Sequence, residues 1–91
     1  MADESKWIAS RIEWCRQQKM QARGQLELDG WQAEEEGLQD ALLNSNRTSQ
    51  YQHRSPGVFK RYVMGFEDGQ ALIHAAALGR HFTISAHRTQ A

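Results

Sequence analysis

The sequence contains a single cysteine, Cys15, among its 91 residues. One cysteine excludes an intrachain disulfide and a zinc cluster built on cysteines. This cysteine usage is typical of a reducing compartment and predicts a cytoplasmic protein. The length is enough for one small domain over residues 1–91, and the 40% of hydrophobic residues allow a packed core.

Long apolar segments are also missing. No stretch approaches the roughly 18 apolar residues that a membrane span requires, and residues 1–6 lack the apolar run of a signal peptide. There is no Walker loop. The chain has two glycine-containing motifs, Gly30–Gly37 and Gly65–Gly69, and neither follows a strand as a dinucleotide fingerprint would. We therefore expect a protein with no cofactor and no contact with a membrane.

The sequence has no excess of either charge, since 11 basic residues balance 11 acidic ones. This balance argues against bulk, nonspecific binding of nucleic acid. The charges nevertheless form blocks. Residues 24–44 carry six acidic side chains and no basic one, whereas residues 45–65 carry four basic side chains and no acidic one. The blocks predict either charge-steered association with a large partner or pairing of the two blocks within a helical hairpin.

A first helix is predicted because Ile8, Ile12 and Cys15 recur at three- and four-residue spacing. Trp7 and Trp14 lie at the edge of the same face, and Arg11 falls between them. Tryptophan and arginine are enriched at the centres of protein interfaces, and an arginine between two indoles is placed for a cation–π contact. We expect these three side chains to bind a partner. The alternative is that both tryptophans complete the core of the domain.

A second helical run extends from about Leu26 to Leu43. Its apolar side chains share one side of the helix and comprise Leu28, Trp31, Leu38 and Leu42. The acidic side chains of this run are expected mostly to face water and to contact a basic patch on a partner; they are Glu34, Glu35, Glu36 and Asp40. The sequence leaves open whether the first two helices are continuous through Gly24.

The rest of the chain is predicted as a polar loop, a helix and an arm. Residues 45–55 have no hydrophobic period and indicate a loop. Ser55 followed by Pro56 is typical of a helix start, and Gly79 is a natural stop, so a helix is predicted over residues 56–79. Residues 80–91 are expected to form a short strand or an extended arm.

Small residues form stripes at four-residue spacing. On the second helix they are Ala33, Gly37 and Ala41, and on the third they are Gly65 and Gly69. Glycine within a helix costs roughly 1 kcal/mol against alanine, so such placements indicate close backbone packing or a binding surface. We predict an all-α domain in which these helices form an antiparallel hairpin, with the N-terminal helix packed against it.

Candidates for catalysis are few. Cys15 lies on the apolar face of the first helix, where a buried and inert thiol is the usual arrangement. No two histidines have the spacing that places two metal ligands on one helical face. A helical unit this small rarely encloses a catalytic pocket. We therefore predict no catalytic residue, no metal site and no enzymatic activity.

A basic segment is the one candidate for contact with nucleic acid. Its cations are Arg47, Arg54, Lys60 and Arg61, and aromatic residues are interspersed among them. Cations mixed with aromatic rings hold phosphates and stack bases on surfaces that bind single strands. The alternative is that Phe59 belongs to the core of the third helix. The segment is then only a modest basic loop without a stacking surface.

Two glycine–aromatic segments resemble those of the ribosome modulation factor family. They are Gly30-Trp31-Gln32-Ala33 with Gly37, and Tyr62-Val63-Met64-Gly65-Phe66. The resemblance covers about residues 28–70. It implies two helices that dock on ribosomal RNA of the small subunit and silence translation. This chain differs from that family in its greater length, its longer linker and its lack of positive charge.

Three functions follow as hypotheses from the residues and the resemblance. The first is a non-enzymatic interaction protein that binds and modulates or inhibits a larger protein complex, a role typical of bacterial regulators and of inhibitors encoded by phages or plasmids. In it, the acidic block of residues 27–40 is expected to meet a basic patch on the partner, and to compete with nucleic acid if that patch normally binds it. The second is a factor associated with RNA or the ribosome, and the third is a self-assembling structural subunit.

Overall fold

A computed structural model describes the backbone of residues 4–90 and the side chains of residues 6–78. It contains four helices in this part of the chain: α1 Glu4–Met20, α2 Gln25–Leu43, α3 Thr48–Tyr51 and α4 Pro56–Gln90. The described residues form no strand, so the predicted all-α class is confirmed. None of these helices is both long and apolar enough to cross a membrane.

The first two helices are separate. The chain leaves the helical conformation after Met20, and Gly24, which precedes α2, is fully extended with φ −160° and ψ 171°. The four-residue turn reverses the chain, because Lys19 near the end of α1 lies against Gln32 in α2. Buried apolar side chains from Ile8 to Cys15 then meet Leu38 further along α2. Helix α1 is therefore antiparallel to α2.

Helices α2 and α4 run side by side in the same direction. Gly30 lies next to Arg61, Glu34 next to Gly65, and Ala41 next to Gly69, so residue numbers increase together along both helices. The predicted antiparallel hairpin is therefore wrong. The physical reason is the connection: residues 44–55 form a crossover that returns the chain to the N-terminal end of α2 before α4 begins.

The expected close approach of α2 and α4 is present, and two glycines are responsible for it. A Cβ atom added to Gly37 would collide with the carbonyl oxygen of Tyr62 and lie 2.6 Å from the amide nitrogen of Phe66. A Cβ atom added to Gly65 would collide with the carbonyl oxygen of Glu34. The two backbones touch here, so the small-residue stripes form a contact inside the domain.

The crossover is an ordered segment with one helical turn, α3, so the prediction of an irregular loop over 45–55 is wrong in part. Tyr51 of α3 is buried and stacks on Tyr62 of α4, with ring centroids 4.2 Å apart. The Tyr62 hydroxyl accepts a hydrogen bond from the Arg47 amide at 2.8 Å. These contacts fix the crossover against the α2–α4 pair. A polar segment without a hydrophobic period can be ordered through such tertiary contacts.

Helix α4 does not end at Gly79 but continues to Gln90, which corrects the predicted strand or extended arm over 80–91. A glycine ends a helix when it adopts the left-handed conformation, and a glycine that keeps helical angles only weakens the helix. No proline follows Gly79 to interrupt the hydrogen-bond pattern. The side chains beyond Leu78 and residue 91 lie outside the described part.

Candidate functional site

The acidic side chains of α2 point mainly into the domain. Glu34 is 3% exposed and lies between two arginines, with Arg11 Nη2 3.3 Å from its Oε2 and Arg61 Nη2 3.1 Å from its Oε1. The expectation that the three glutamates mostly face water is therefore wrong. Burial of a carboxylate is tolerated here because guanidinium groups from α1 and α4 neutralise it.

The neighbouring carboxylates have the same arrangement. Buried Glu35 contacts Arg16 Nε at 3.0 Å and Lys19 Nζ at 2.6 Å, both from α1. Buried Asp40 accepts two hydrogen bonds from Arg47, at 2.8 and 3.1 Å, and half-buried Glu36 lies 3.2 Å from the same guanidinium. The alternative in which the two charge blocks pair is confirmed in part. Arg47 and Arg61 of the basic block pair with carboxylates of the acidic block, but not across a hairpin, and Glu35 pairs with α1 instead.

This pairing decides which predicted partner contacts remain available. The buried Glu34, Glu35 and Asp40 hold the domain together. They are therefore not accessible to a basic patch on a partner. In the predicted nucleic-acid segment, Arg47 and Arg61 are engaged with the same carboxylates. Arg54 and Lys60 are exposed, and Arg54 lies over the ring of Tyr51 at 5.6 Å. Two exposed cations make a weaker phosphate-binding surface than four.

Trp7 and Trp14 lie on the outside of α1 and keep 40% and 45% of their surface exposed. Seven residues are close to two helical turns, so the two indoles lie on one side of the helix, about 10 Å apart along its axis. Arg11, expected between them, instead extends to Glu34 and to Asp68 of α4, 3.2 Å away. The tryptophans therefore do not complete the core.

A third tryptophan extends this surface and was not assigned to it from the sequence. Trp31 of α2 meets Trp14 edge to face, with ring centroids 5.0 Å apart. The Arg61 guanidinium covers Trp31 at 3.9 Å from the ring centroid. We call the three indoles the tryptophan surface. Only the parallel packing of α4 brings Arg61 to Trp31, so no spacing within one helix could have predicted the contact.

A pocket of about 420 Å³ adjoins the tryptophan surface where α2 and α4 begin. Its lining comprises Leu26, Glu27, Gly30, Trp31, Gly57, Val58 and Arg61. The walls are mainly apolar, and two of the lining residues are glycines that leave the space open. We call it the end pocket. Among the described residues, no group of three or more histidine, cysteine or acidic side chains is arranged to hold a metal ion.

Cys15 is fully buried, and its thiol donates to Glu34 Oε2 at 3.5 Å. Burial, with the negative charge of Glu34 as a second cause, raises the pKa of the Cys15 thiol from an ordinary value of 9.0 to about 12. The thiolate is the nucleophilic form, so the folded protein holds this cysteine in its unreactive state. The environment is that of an inert core residue.

The raised pKa of Cys15 predicts a loss of stability in alkali. Between pH 9 and pH 10 the thiol ionises in the unfolded chain while it stays protonated in the folded one. The unfolded state then binds fewer protons, so the free energy of unfolding falls as pH rises, by about 1 kcal/mol over this interval. For a domain of this size we expect the melting temperature to drop by about 4–8 °C. Thermal unfolding followed by circular dichroism across this range measures the drop.

The matched control is Cys15→Ala, which should melt at a lower temperature at neutral pH but lose less on passing from pH 9 to pH 10. Burial also raises the pKa values of the Tyr62 and Tyr51 hydroxyls, and their ionisation in the unfolded chain weakens both proteins mainly above pH 10. An equal drop for the wild type and the variant between pH 9 and pH 10 would show that Cys15 is not responsible.

The segments that carry the resemblance to the ribosome modulation factor family form the close contact of α2 and α4, and the relationship itself stays a prediction. Gly37 and Gly65 supply the contact, and Trp31 of the same segments belongs to the tryptophan surface. Comparisons with protein-family models, curated proteins and solved structures found no match to this chain. The function must therefore be argued from the exposed surface itself.

Proposed function

We propose that the chain is a non-enzymatic interaction protein that binds a larger protein through the tryptophan surface and thereby modulates or inhibits it. The observation that supports this proposal is the exposure of Trp7 and Trp14 on one side of α1. A tryptophan side chain buries 150–250 Å² when covered, so two half-exposed indoles offer a large apolar area to a partner.

Trp14 is held in place before any partner binds, as an anchor residue of an interface should be. Its ring is held by the edge-to-face contact with Trp31, and Trp31 is covered by Arg61, whose guanidinium is fixed by buried Glu34. A side chain that is already fixed loses little conformational entropy when a partner binds it. Interface hot spots have this character: rigid aromatic side chains beside an arginine, at the centre of a surface that excludes water.

The same geometry favours an apolar mechanism over an electrostatic one. Glu34, Glu35 and Asp40 are neutralised inside the domain, so they present little charge to a basic patch. Competition with nucleic acid through an acidic surface is accordingly not part of the proposal. Binding through the tryptophan surface would obstruct a site on the partner sterically, and its affinity would depend weakly on salt.

Trp7→Ala and Trp14→Ala are each expected to reduce capture of the partner by tagged protein at least tenfold, since removal of a hot-spot side chain costs about 2 kcal/mol or more. Capture is measured from a bacterial lysate at two salt concentrations, with and without RNase, and bound proteins are identified by mass spectrometry. One stoichiometric protein that resists RNase and high salt is the expected partner.

The control is the double variant Arg54→Ala and Lys60→Ala, which removes the two exposed cations of the predicted nucleic-acid segment and leaves the tryptophans in place. It should capture the partner as well as the wild type does. Unchanged capture by both tryptophan variants would overturn the proposal. Loss of all captured proteins on RNase treatment, together with loss in the cation variant, would instead support a factor that associates with RNA or the ribosome.

A further inference from the structure

Apolar side chains project from the end of the domain that carries the end pocket. Leu26, on the rim of the pocket, is 68% exposed. Met20, the last residue of α1, is 87% exposed and precedes the short turn into α2, so it belongs to the same end. An open apolar cavity and protruding apolar side chains therefore lie side by side on one surface, which is a common mark of an association site.

A surface on which an apolar side chain projects beside an open apolar pocket can pair with a second copy of itself. In a twofold dimer the same patch serves both chains, so residue i of one copy meets residue j of the other and the reverse contact forms at the same time. Leu26 of each copy would enter the end pocket of the other and cover Val58 and Trp31. A pocket of about 420 Å³ has room for a leucine side chain.

The charges at this end fit the same arrangement. Glu27 lines the pocket and Arg23 lies in the preceding turn; both are exposed, and neither takes part in an ion pair with the described side chains 6–78. This end therefore carries one exposed group of each charge, as pairing between two identical copies requires. The chain has no net charge, so no long-range repulsion opposes the approach of two copies.

We propose that two copies of this chain associate through the end pocket, with Leu26 as the reciprocal anchor. Sedimentation velocity on the whole chain, from about 1 μM to about 1 mM, should show a reversible dimer of twice the 10.4 kDa chain mass. Leu26→Glu should raise the dissociation constant roughly a hundredfold, since each dimer loses two buried leucines and gains two buried charges.

Leu43→Glu is the matched control, because Leu43 is a leucine of the same helix with a similar exposure of 72% but lies at its other end. It should dimerise like the wild type, and circular dichroism should show both variants folded. A wild type that remains monomeric at about 1 mM would overturn the proposal, as would an equal effect of the two substitutions. The dimer surface and the proposed partner site share Trp31, and Trp7 belongs to the partner site alone, so Trp7→Ala should impair capture and leave the dimer intact.

Discussion

Gly65→Ala is expected to destabilise the domain by about 3 kcal/mol or more, which is a large part of the stability of a small domain. The added methyl group would collide with the carbonyl oxygen of Glu34 and lie 3.0 Å from both the carbonyl carbon and the Cα atom of that residue. These neighbours are all backbone atoms of α2, so no side chain can rotate away. The helices must separate instead, which opens the adjacent core around Leu38 and Tyr62.

Gly37→Ala is expected to have an effect of the same size, because the obstacle is again backbone. The nearest atoms are the Tyr62 carbonyl oxygen, the Phe66 amide nitrogen at 2.6 Å and the Gly65 carbonyl carbon at 3.0 Å. Unfolding in guanidinium chloride, followed by circular dichroism, gives the free energy of unfolding of each variant. Because alanine favours the helix by up to about 1 kcal/mol over glycine, the measured loss is the net of the two effects.

Gly57→Ala is the control for this intrinsic preference. A Cβ atom at Gly57 meets nothing within 4 Å, and the residue lies in the first turn of α4. The substitution should therefore stabilise the domain by up to about 1 kcal/mol. If Gly65→Ala and Gly57→Ala unfolded at the same denaturant concentration, the close contact between α2 and α4 would not exist in solution.

The glycine contact also shows how far the sequence could predict the fold. Four-residue spacing of Gly37 and Ala41, and of Gly65 and Gly69, is a local pattern, and it correctly indicated two helices with backbones in close approach. Whether α4 runs parallel or antiparallel to α2 is not encoded in such a local pattern. A linker of residues 44–55 spans up to about 40 Å when extended, whereas α2 is about 28 Å long, so the linker permits both directions.

The orientation of the acidic residues was missed for a related reason. On the polar pattern of one helix, Glu34 and Glu35 belong to the solvent side, and burial of a lone carboxylate would be costly. Their cations come from Arg11 and Lys19 in α1 and from Arg61 in α4. Such partners become visible only when three helices are assembled.

The candidate surface was predicted in part. The exposure of Trp7 and Trp14 could be predicted from their spacing. The apolar arc of α1 is wider than its contact with the other helices requires, so its edge is left outside the core. Their exposure agrees with an interface and not with the core alternative. Trp31 and the end pocket depend on the meeting of the first turns of α2 and α4. A surface of that kind follows from the tertiary packing and has no signal in a single segment.

Arg47→Met is the second substitution with a large expected effect. It should lower the free energy of unfolding by about 3 kcal/mol. Arg47 holds Asp40 through two hydrogen bonds and also pairs with Glu36, so the arginine fastens the crossover to α2. Without it, the buried Asp40 carboxylate keeps one partner among the described side chains, the Tyr62 hydroxyl, 2.7 Å away. Because the arginine itself is partly exposed, water can reach the vacated position, which places the expected loss at the lower end of the range for buried pairs.

The measurement is the midpoint of thermal unfolding, which should fall by about 12–24 °C for a domain of this size. Arg54→Met is the matched control, since Arg54 belongs to the same crossover and forms no ion pair with a described side chain. Arg54→Met should change the free energy of unfolding by no more than about 0.5 kcal/mol, as is usual for an exposed residue. Similar losses for the two arginines would mean that Asp40 is not held by Arg47 in solution.

A double variant separates the loss of an attraction from the cost of an unpaired buried charge. If the cost arises because Asp40 remains buried without a cation, then Asp40→Asn added to Arg47→Met should recover part of the stability, since the amide is neutral and still accepts from Tyr62. If the double variant is less stable than Arg47→Met alone, the carboxylate without its arginine is still a net stabilising group through Tyr62, and the cost of an unpaired charge is not the cause of the loss. The expected recovery is about 1–2 kcal/mol, large enough for a double-mutant cycle to resolve.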